Sequence, residues 1–347
     1  MIPLIEASGS PYEVGVAIGR AAGAAINEAT LSTRGGIALA TRHPDAMPMV
    51  DRYLDATREA TPNLVAEMQG IADGAGVPLL EIFIMNAAAE LHQATGFFEE
   101  SCTVVGITQA GTTDGSVLLA HNEDATAGWG NYAYVVRAEP SEGPAYVAFT
   151  YAGLLLHQGV NAAGIGSVGN ALYAQDARPG VPKLLAYRQI MSESTIEGAI
   201  RAATSSTRAF GNNHLIANSE GDIYDVEVTG TRWALHHAGN RFIAHGNHLV
   251  APEMADLDAN DDLLNSRLRQ KRVERLVDSN WGRIDTAVLT GIMSDHSNYP
   301  GSVCKHHVPE SELEYGTIGS VVIDVTNRTL RACAGNPCRS EWREVRL

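Results

Sequence analysis

The stretch SCTVVGITQAGTTDGSVLLAHNED, residues 101–124, decides the fold of this chain. It holds two short runs of β-forming residues, Thr103 to Ile107 and Ser116 to Ala120. The segment Thr112-Thr113-Asp114-Gly115 between them is typical of a hairpin-like turn. The first strand begins with Cys-Thr at Cys102, so the sequence predicts a hairpin that carries a thiol at its start.

The residues before this stretch are predicted to be helical. Ser10-Pro11-Tyr12-Glu13 combines a capping serine, a first-turn proline and a glutamate at the third position, which predicts a helix from about Pro11 to Thr30. Further helical patterns cover Asp45 to Ala60, Pro62 to Asp73 and Pro78 to Glu90. No convincing β alternation occurs before residue 100.

After Cys102, strands dominate and helices interrupt them. Strands are predicted at Tyr132 to Arg137, Tyr146 to Tyr151, Gly164 to Val168, His214 to Asn218, Ile223 to Val228, Trp233 to His236, Arg241 to Ala244, Ile318 to Val325 and Leu330 to Cys333. Helices are predicted within 184–203 and at about 262–278 and 285–294. Many antiparallel-type strands with grouped helices predict an α+β sandwich of sheet and helix layers.

Composition excludes several classes of protein. The chain has 347 residues, is 45% hydrophobic, and carries 40 acidic against 25 basic residues for a formal charge of −15. Such a surface repels nucleic acid and anionic lipid, so neither is an expected partner. We find no signal-peptide pattern and no apolar run long enough to span a membrane, and four cysteines are too few for a disulfide framework. A cytoplasmic location is the expectation.

The sequence resembles the acyl-CoA:isopenicillin N (6-aminopenicillanic acid) acyltransferase-like family of N-terminal-nucleophile hydrolases. The resemblance extends over most of the chain, and the matching pieces are Glu100-Ser101-Cys102-Thr103, Thr113 to Asp124, Gly159 to Gly164, Asn213 to Asn218, Ser302-Val303-Cys304-Lys305 and Gly335-Asn336-Pro337-Cys338. It implies a four-layer αββα fold and a precursor that cuts itself before Cys102. Residues 1–101 would then form a helical leader subunit and residues 102–347 a catalytic subunit, associated as a heterodimer that could dimerise further.

The chain departs from many of these relatives at three positions. Ser101 stands where they often have glycine before the nucleophile, and Glu123 where they often have an aromatic residue. Lys305 replaces an arginine, and lysine lacks the planar fork with which arginine binds a carboxylate or phosphate.

The chemistry explains why a cysteine must stand first after cleavage. A thiol with a pKa of about 8.5 is mostly protonated at neutral pH, and a free α-amino group with a pKa of roughly 7.7 to 8.0 is a suitable base beside it. The Cys102 thiol would attack the Ser101 carbonyl in the precursor. In the mature protein it would attack a substrate and form an acyl-enzyme.

The resemblance assigns two further catalytic roles. Asp124 is expected to orient the Cys102 amine, with a turn or capping role as the alternative. Asn213 is expected to donate to the oxyanion, with its neighbour Asn212 as the rival, because adjacent strand residues point to opposite faces and only one of them can serve.

Five other residues are expected at the substrate pocket: Thr103, Asn122, Glu123, Asn161 and Lys305. For Asn161, a role in turn formation within Gly159 to Gly164 is an equal alternative.

No metal or other cofactor is expected. The residues His121, His157, His214 and the pair His236-His237 do not show zinc-site spacing with a cysteine or carboxylate partner. The later group, Asp295-His296-Ser297 with His306-His307, is ambiguous. Cys333 and Cys338 form a single pair without a second one, and the glycine-rich stretches lack the Lys-Ser/Thr of a nucleotide phosphate loop.

The sequence therefore predicts a self-processing cysteine amidohydrolase or acyltransferase for a small non-peptide amide or thioester. Two alternatives remain open. One is an acyl-CoA-dependent amine N-acyltransferase, and the other is a non-catalytic binding protein that has kept the fold.

Overall fold

The computed structural model describes residues 1–31, 43, 46–95, 101–205, 207–259, 263–308 and 315–347. Three parts of the sequence prediction lie outside these residues: the helix start at Asp45, the helix start at about 262, and Glu100. None of the described helices is both long and apolar enough to cross a membrane.

The residues before Cys102 form five helices and one strand within the described part of the chain. The helices are α1 (Pro11–Thr30), α2 (Met47–Ala60), α3 (Pro62–Ala75), α4 (Leu79–Asn86) and α5 (Ala88–Thr95). The predicted capping box of α1 is confirmed, because the Ser10 side chain accepts from the Glu13 N–H and the Glu13 carboxylate accepts from the Ser10 N–H.

The expectation that no strand precedes residue 100 is wrong. Strand β1 (Leu4–Gly9) runs parallel to β4 (Ala133–Pro140), with Leu4 opposite Val135. A lone edge strand gains its stability from that neighbour more than from its own alternation, and its sequence pattern is accordingly weak.

Two sheets form the centre of the molecule. The first has the order β1-β4-β5-β6-β7-β8-β9-β10 and the second the order β11-β2-β3-β12-β13-β14. The bounds of the other strands are β2 (Ser101–Ile107), β3 (Leu118–Thr126), β5 (Tyr146–Tyr151), β6 (Gln158–Asn161), β7 (Ile165–Leu172), β8 (Gly211–Asn218), β9 (Ile223–Val228), β10 (Trp233–His237), β11 (Phe242–His245), β12 (Tyr315–Asp324), β13 (Thr329–Ala334) and β14 (Arg343–Arg346). Strands β6 and β14 had no counterpart in the sequence prediction.

Helices cover the outer faces of both sheets. Val105 and Ala120 of the second sheet pack against α8 (Leu263–Asn280) and α9 (Thr286–Met293). The larger core joins the first sheet to α1, α3, α4, α6 (Lys183–Ile190) and α7 (Ile196–Ala203). This confirms the predicted α+β sandwich with the layer order αββα.

Helices α1 and α3 approach each other closely on the outside of the first sheet. A Cβ atom at Gly15 would collide with the Glu67 carbonyl, and one at Gly70 with the Tyr12 carbonyl. Glycine is therefore required at both positions, and the close contact aligns the buried face of α3 with the sheet.

Candidate active site

Cys102 lies at the start of the hairpin formed by β2 and β3. Its register partner on β3 is Glu123, and Ser101 is paired with Asp124. Only 2% of the Cys102 side chain is exposed, and the thiol donates to Glu123 Oε2 at 3.7 Å. The hairpin that the sequence predicted thus places a carboxylate directly beside the thiol.

Two histidines share the buried carboxylate of Glu123. His121 Nε2 lies 3.4 Å from Glu123 Oε2, and His157 Nε2 lies 3.8 Å from the same atom. His121 precedes Glu123 by two positions, so both side chains point to the same face of β3. Although their spacing in the sequence is not that of a metal site, these histidines belong to the surroundings of the thiol.

The backbone of Cys102 is held on both sides. Its N–H donates to Asn247 Oδ1 at 2.9 Å, and its carbonyl accepts from the Arg269 guanidinium. Arg269 also donates to Asn247 Oδ1 at 2.9 Å, while the Asn247 Nδ2 donates to the Ala171 carbonyl at 3.1 Å. The Asn247 Oδ1 atom accepts from two donors, and Nδ2 donates to an acceptor. These contacts fix which way the Asn247 amide is oriented.

Two cations converge on the residue before the nucleophile. Ser101 Oγ accepts from Arg269 Nη2 at 2.9 Å and from Lys305 Nζ at 3.2 Å. Arg269 also donates to Thr103 Oγ1 at 2.6 Å. One arginine of α8 therefore touches three successive residues of β2 across the peptide bond between Ser101 and Cys102.

Asp124 is buried next to these cations. Its Oδ2 lies 3.7 Å from Lys305 Nζ, and its Oδ1 accepts from Thr317 Oγ1 at 2.6 Å. Burial raises the pKa of the Asp124 carboxyl, and the charges of Lys305 and Arg269 oppose that rise. Asp124 is paired with Ser101 in the hairpin, and its role toward the Cys102 amine stays a prediction.

The segment that carries Asn247 is held in place by a buried ion pair. His245 Nε2 contacts Glu227 Oε1 at 2.8 Å, and the Glu227 carboxylate accepts from the N–H groups of Val250 and Ala251 at 2.8 and 2.7 Å. Burial lowers the pKa of His245, but the Asp225 and Glu227 carboxylates outweigh it and raise that pKa to about 9. The ion pair of His245 with Glu227 consequently links the two ends of the short turn that presents Asn247.

The Asn213 amide hydrogen-bonds to a buried carboxylate. Its Nδ2 donates to Asp225 Oδ1, while Asn212 Nδ2 donates to the Tyr187 hydroxyl at 2.9 Å. The two side chains reach different partners, as expected for neighbours on a strand. The oxyanion role of Asn213 stays a prediction, and Asn247 is the asparagine that touches the Cys102 backbone.

Two of the predicted pocket residues, Asn122 and Asn161, hydrogen-bond to backbone groups of other segments. Asn122 Nδ2 donates to the carbonyls of Met293 and Val303 at 2.8 and 2.9 Å, which ties β3 to the end of α9 and to the segment before Lys305. Asn161 Oδ1 accepts from the Ile165 N–H at 3.0 Å, and its Nδ2 donates to the Glu193 carbonyl at 2.8 Å. The contacts of Asn161 match the turn-forming alternative.

Sequence reasoning missed Asn247, Arg269 and Thr317. Arg269 is one of several arginines in α8, so no local pattern distinguishes it from its neighbours. Asn247 follows strand β11 in Gly246-Asn247-His248. A polar residue just beyond a strand is the feature of the sequence that could have indicated a functional role for it.

We expect Asn247→Ala to lower the rate of cleavage before Cys102 by about a hundredfold. The N–H of the scissile peptide bond loses its hydrogen-bond acceptor, and the peptide bond is then no longer held in its orientation. The fraction of uncut chain over time, measured by denaturing mass spectrometry, checks this. Asn218→Ala is the matched variant, because Asn218 ends strand β8 and its side chain hydrogen-bonds with residues 220–222, and it should cleave near the wild-type rate. Cleavage slowed equally in both variants, with both folded by circular dichroism, would contradict the role of Asn247.

Comparisons with known proteins give matches over most of the chain. The sequence profile of a family described as acyl-coenzyme A:6-aminopenicillanic acid acyl-transferase matches residues 111–339. The acyl-coenzyme A:6-aminopenicillanic-acid-acyltransferase 40 kDa form of Emericella nidulans is 25% identical over 96% of this chain and 92% of its own length. The β-alanyl-dopamine/carcinine hydrolase of Drosophila melanogaster is 23% identical over 98% of this chain and 94% of its own length.

A solved structure shares the fold. A mutant form of the conjugated bile acid hydrolase from Clostridium perfringens superposes with a TM-score of 0.50 at 12% identity, covering 71% of this chain and 97% of the other. Penicillin V acylase from Agrobacterium tumefaciens gives a TM-score of 0.49 at 13% identity, with 71% and 86% covered.

Proposed function

Because the chain belongs to the acyl-coenzyme A:6-aminopenicillanic acid acyltransferase family, we propose that it is a self-processing cysteine amidohydrolase or acyltransferase. The peptide bond between Ser101 and Cys102 is cut, and Cys102 then acts as the N-terminal nucleophile. The observation that carries this proposal is the set of hydrogen bonds made by Cys102. Its N–H donates to Asn247, its carbonyl accepts from Arg269, and its thiol donates to Glu123.

The first step uses the uncut chain. Glu123 accepts the thiol proton, and Cys102 Sγ bonds to the carbonyl carbon of Ser101. When the tetrahedral adduct collapses, the C–N bond breaks and the nitrogen takes a proton. This leaves a thioester on Cys102 and a free α-amine, and water then hydrolyses the thioester to release the Ser101 carboxylate and the Cys102 thiol.

The same contacts serve the mature protein. The new amine arises on the nitrogen that Asn247 Oδ1 already contacts, and Asp124 lies opposite the position that Ser101 vacates. A thiolate with an amine beside it attacks a substrate carbonyl, and the amine returns the proton to the leaving nitrogen. The acyl group then passes from Cys102 to water or to an amine.

A small non-peptide amide is the substrate class that we infer. The two curated relatives are named for an acyltransferase acting on 6-aminopenicillanic acid and for a hydrolase of β-alanyl-dopamine and carcinine. Both names imply an acyl group on a small amine. Acyl-CoA-dependent transfer is the second candidate, favoured by the name of the matching family.

The test of self-processing is the mass of the purified protein under denaturing conditions. Cleavage should give fragments of roughly 11 and 26 kDa, because the mean residue mass follows from 36.9 kDa over 347 residues. The larger fragment should begin with Cys102, as read by N-terminal sequencing. An intact chain in every preparation would contradict the proposal and favour a non-catalytic binding protein with this fold.

The acyl acceptor is tested on the cleaved protein. Incubation with small N-acyl amines should release free amine, and incubation with acyl-CoA plus an amine should release a free CoA thiol only if the protein uses acyl-CoA. A selective acyl adduct on Cys102, found by peptide mapping, is expected with either donor. Acylation spread over several cysteines would argue against Cys102 as the nucleophile.

A further inference from the structure

Four metal-ligating side chains meet outside the active site. They are His296, which follows α9, Cys304 and His306, which flank Lys305, and Cys338 in the turn between β13 and β14. One ligand atom from each lies within 4.8 Å of all the others. We call this set the Cys2His2 cluster.

Four of the six separations within the cluster are close to those of a tetrahedral zinc site. Cys304 Sγ lies 3.7 Å from Cys338 Sγ, and His306 Nε2 lies 3.5 and 3.6 Å from these two sulfurs. His296 Nε2 lies 3.0 Å from His306 Nε2. Zinc at its usual bond lengths would require about 3.8 Å between two sulfurs, about 3.6 Å between sulfur and nitrogen, and about 3.3 Å between two nitrogens.

The surrounding backbone holds the ligands in these positions. The Cys304 N–H donates to the Asp295 carbonyl at 3.0 Å, and the Ser302 hydroxyl donates to the Cys304 carbonyl at 2.7 Å. Asn336 Nδ2 donates to the Lys305 carbonyl at 2.8 Å and joins the two segments. Asp295 is in turn fixed by Arg272 through bonds of 2.9 and 2.7 Å.

The cluster also has an entry path. Cys304 is fully buried, whereas His296 and Cys338 are exposed and His306 is half-buried. An ion can therefore reach the ligands from solvent while the buried thiol closes the inner side. Arg339 Nη2 donates to Asn336 Oδ1 at 2.8 Å, which places one positive charge beside the segment that carries Cys338.

We propose that His296, Cys304, His306 and Cys338 form a structural site for one zinc ion. Cys2His2 ligation with four protein ligands is typical of closed structural sites and leaves no position for a substrate. The site ties the loop after α9 to the turn between β13 and β14. It thereby fixes the backbone of Lys305, whose Nζ contacts Ser101 Oγ and Asp124. The proposal is independent of the acyl transfer at Cys102.

Elemental analysis of the purified full-length protein tests the site. We expect about one zinc per chain, and after exchange for cobalt we expect the visible absorption of a tetrahedral thiolate complex. Cys338→Ser and His296→Ala should each lower the zinc affinity at least about tenfold. Both residues are exposed, so the variants should fold, and circular dichroism checks this.

Two matched variants separate this site from its surroundings. His307→Ala removes the exposed neighbour of His306 and should keep the zinc. Cys102→Ala should also keep it, which excludes the second group of potential ligands, Cys102, His121 and Glu123. Zinc lost only with Cys102→Ala, or a metal-free protein with a Cys304–Cys338 disulfide, would overturn the proposal.

Discussion

Cys102→Ala is expected to leave a single uncut chain of 36.9 kDa with no detectable acyl transfer or amide hydrolysis. The variant removes the one atom that attacks both the Ser101 carbonyl and the substrate, so processing and turnover are lost together. Denaturing mass spectrometry and amine release from N-acyl amines measure the two effects.

Cys102→Ser is the control for this variant. It keeps a nucleophile with the same backbone contacts to Asn247 and Arg269, and slow cleavage is therefore expected from a hydroxyl that is harder to activate than a thiol. Both variants should unfold near the wild-type temperature. A Cys102→Ala protein that still separates at residue 101 would show that another group cuts the chain.

The strands and helices were predictable because most of their patterns are local. Tyr146 to Tyr151 and Ile223 to Val228 were predicted with their observed bounds, since turn residues flank each run of β-formers. Strand β1 was missed because its stability comes from pairing with β4. The predicted helix from Pro78 to Glu90 is two helices, α4 and α5, separated at Ala87.

The candidate site was predictable only where it is continuous in sequence. Cys102, Glu123 and Asp124 lie on one hairpin, so their proximity follows from strand pairing. Arg269 and Asn247 come from α8 and from the turn after β11, and their approach to Cys102 depends on how α8 packs on the second sheet. The Cys2His2 cluster was not predicted for the same reason, because its ligands come from separate segments and match no zinc-motif spacing.

After cleavage, the fragments 1–101 and 102–347 are expected to stay together in a single particle. Strand β1 pairs with β4 along its whole length, and Asn86 exchanges hydrogen bonds of 2.9 Å with Gly153 and Leu155. A buried ion pair also joins the fragments, between Glu67 of α3 and Arg188 of α6, with N–O distances of 3.0 and 3.1 Å. Both fragments should elute together in size-exclusion chromatography and separate only in denaturant.

Arg188→Met should weaken this association by about 3–5 kcal/mol, because it leaves the Glu67 carboxylate buried without its cation. Glu67 is fully buried and Arg188 is 3% exposed, and the guanidinium also lies 4.6 Å above the Tyr146 ring. The urea concentration at which the small fragment leaves the complex measures the loss.

The matched control is Arg201→Met, which breaks the exposed pair between Arg201 and Glu197. An exposed pair contributes at most about 1 kcal/mol, so this variant should dissociate near the wild-type midpoint. The double variant Glu67→Gln with Arg188→Met removes the buried, unpaired carboxylate charge. It should therefore recover part of the association free energy that Arg188→Met loses. A small fragment that leaves the wild-type protein without denaturant would contradict the expectation, because the shared core of α1, α3, α4 and the first sheet would then be too weak to hold the cleaved chain.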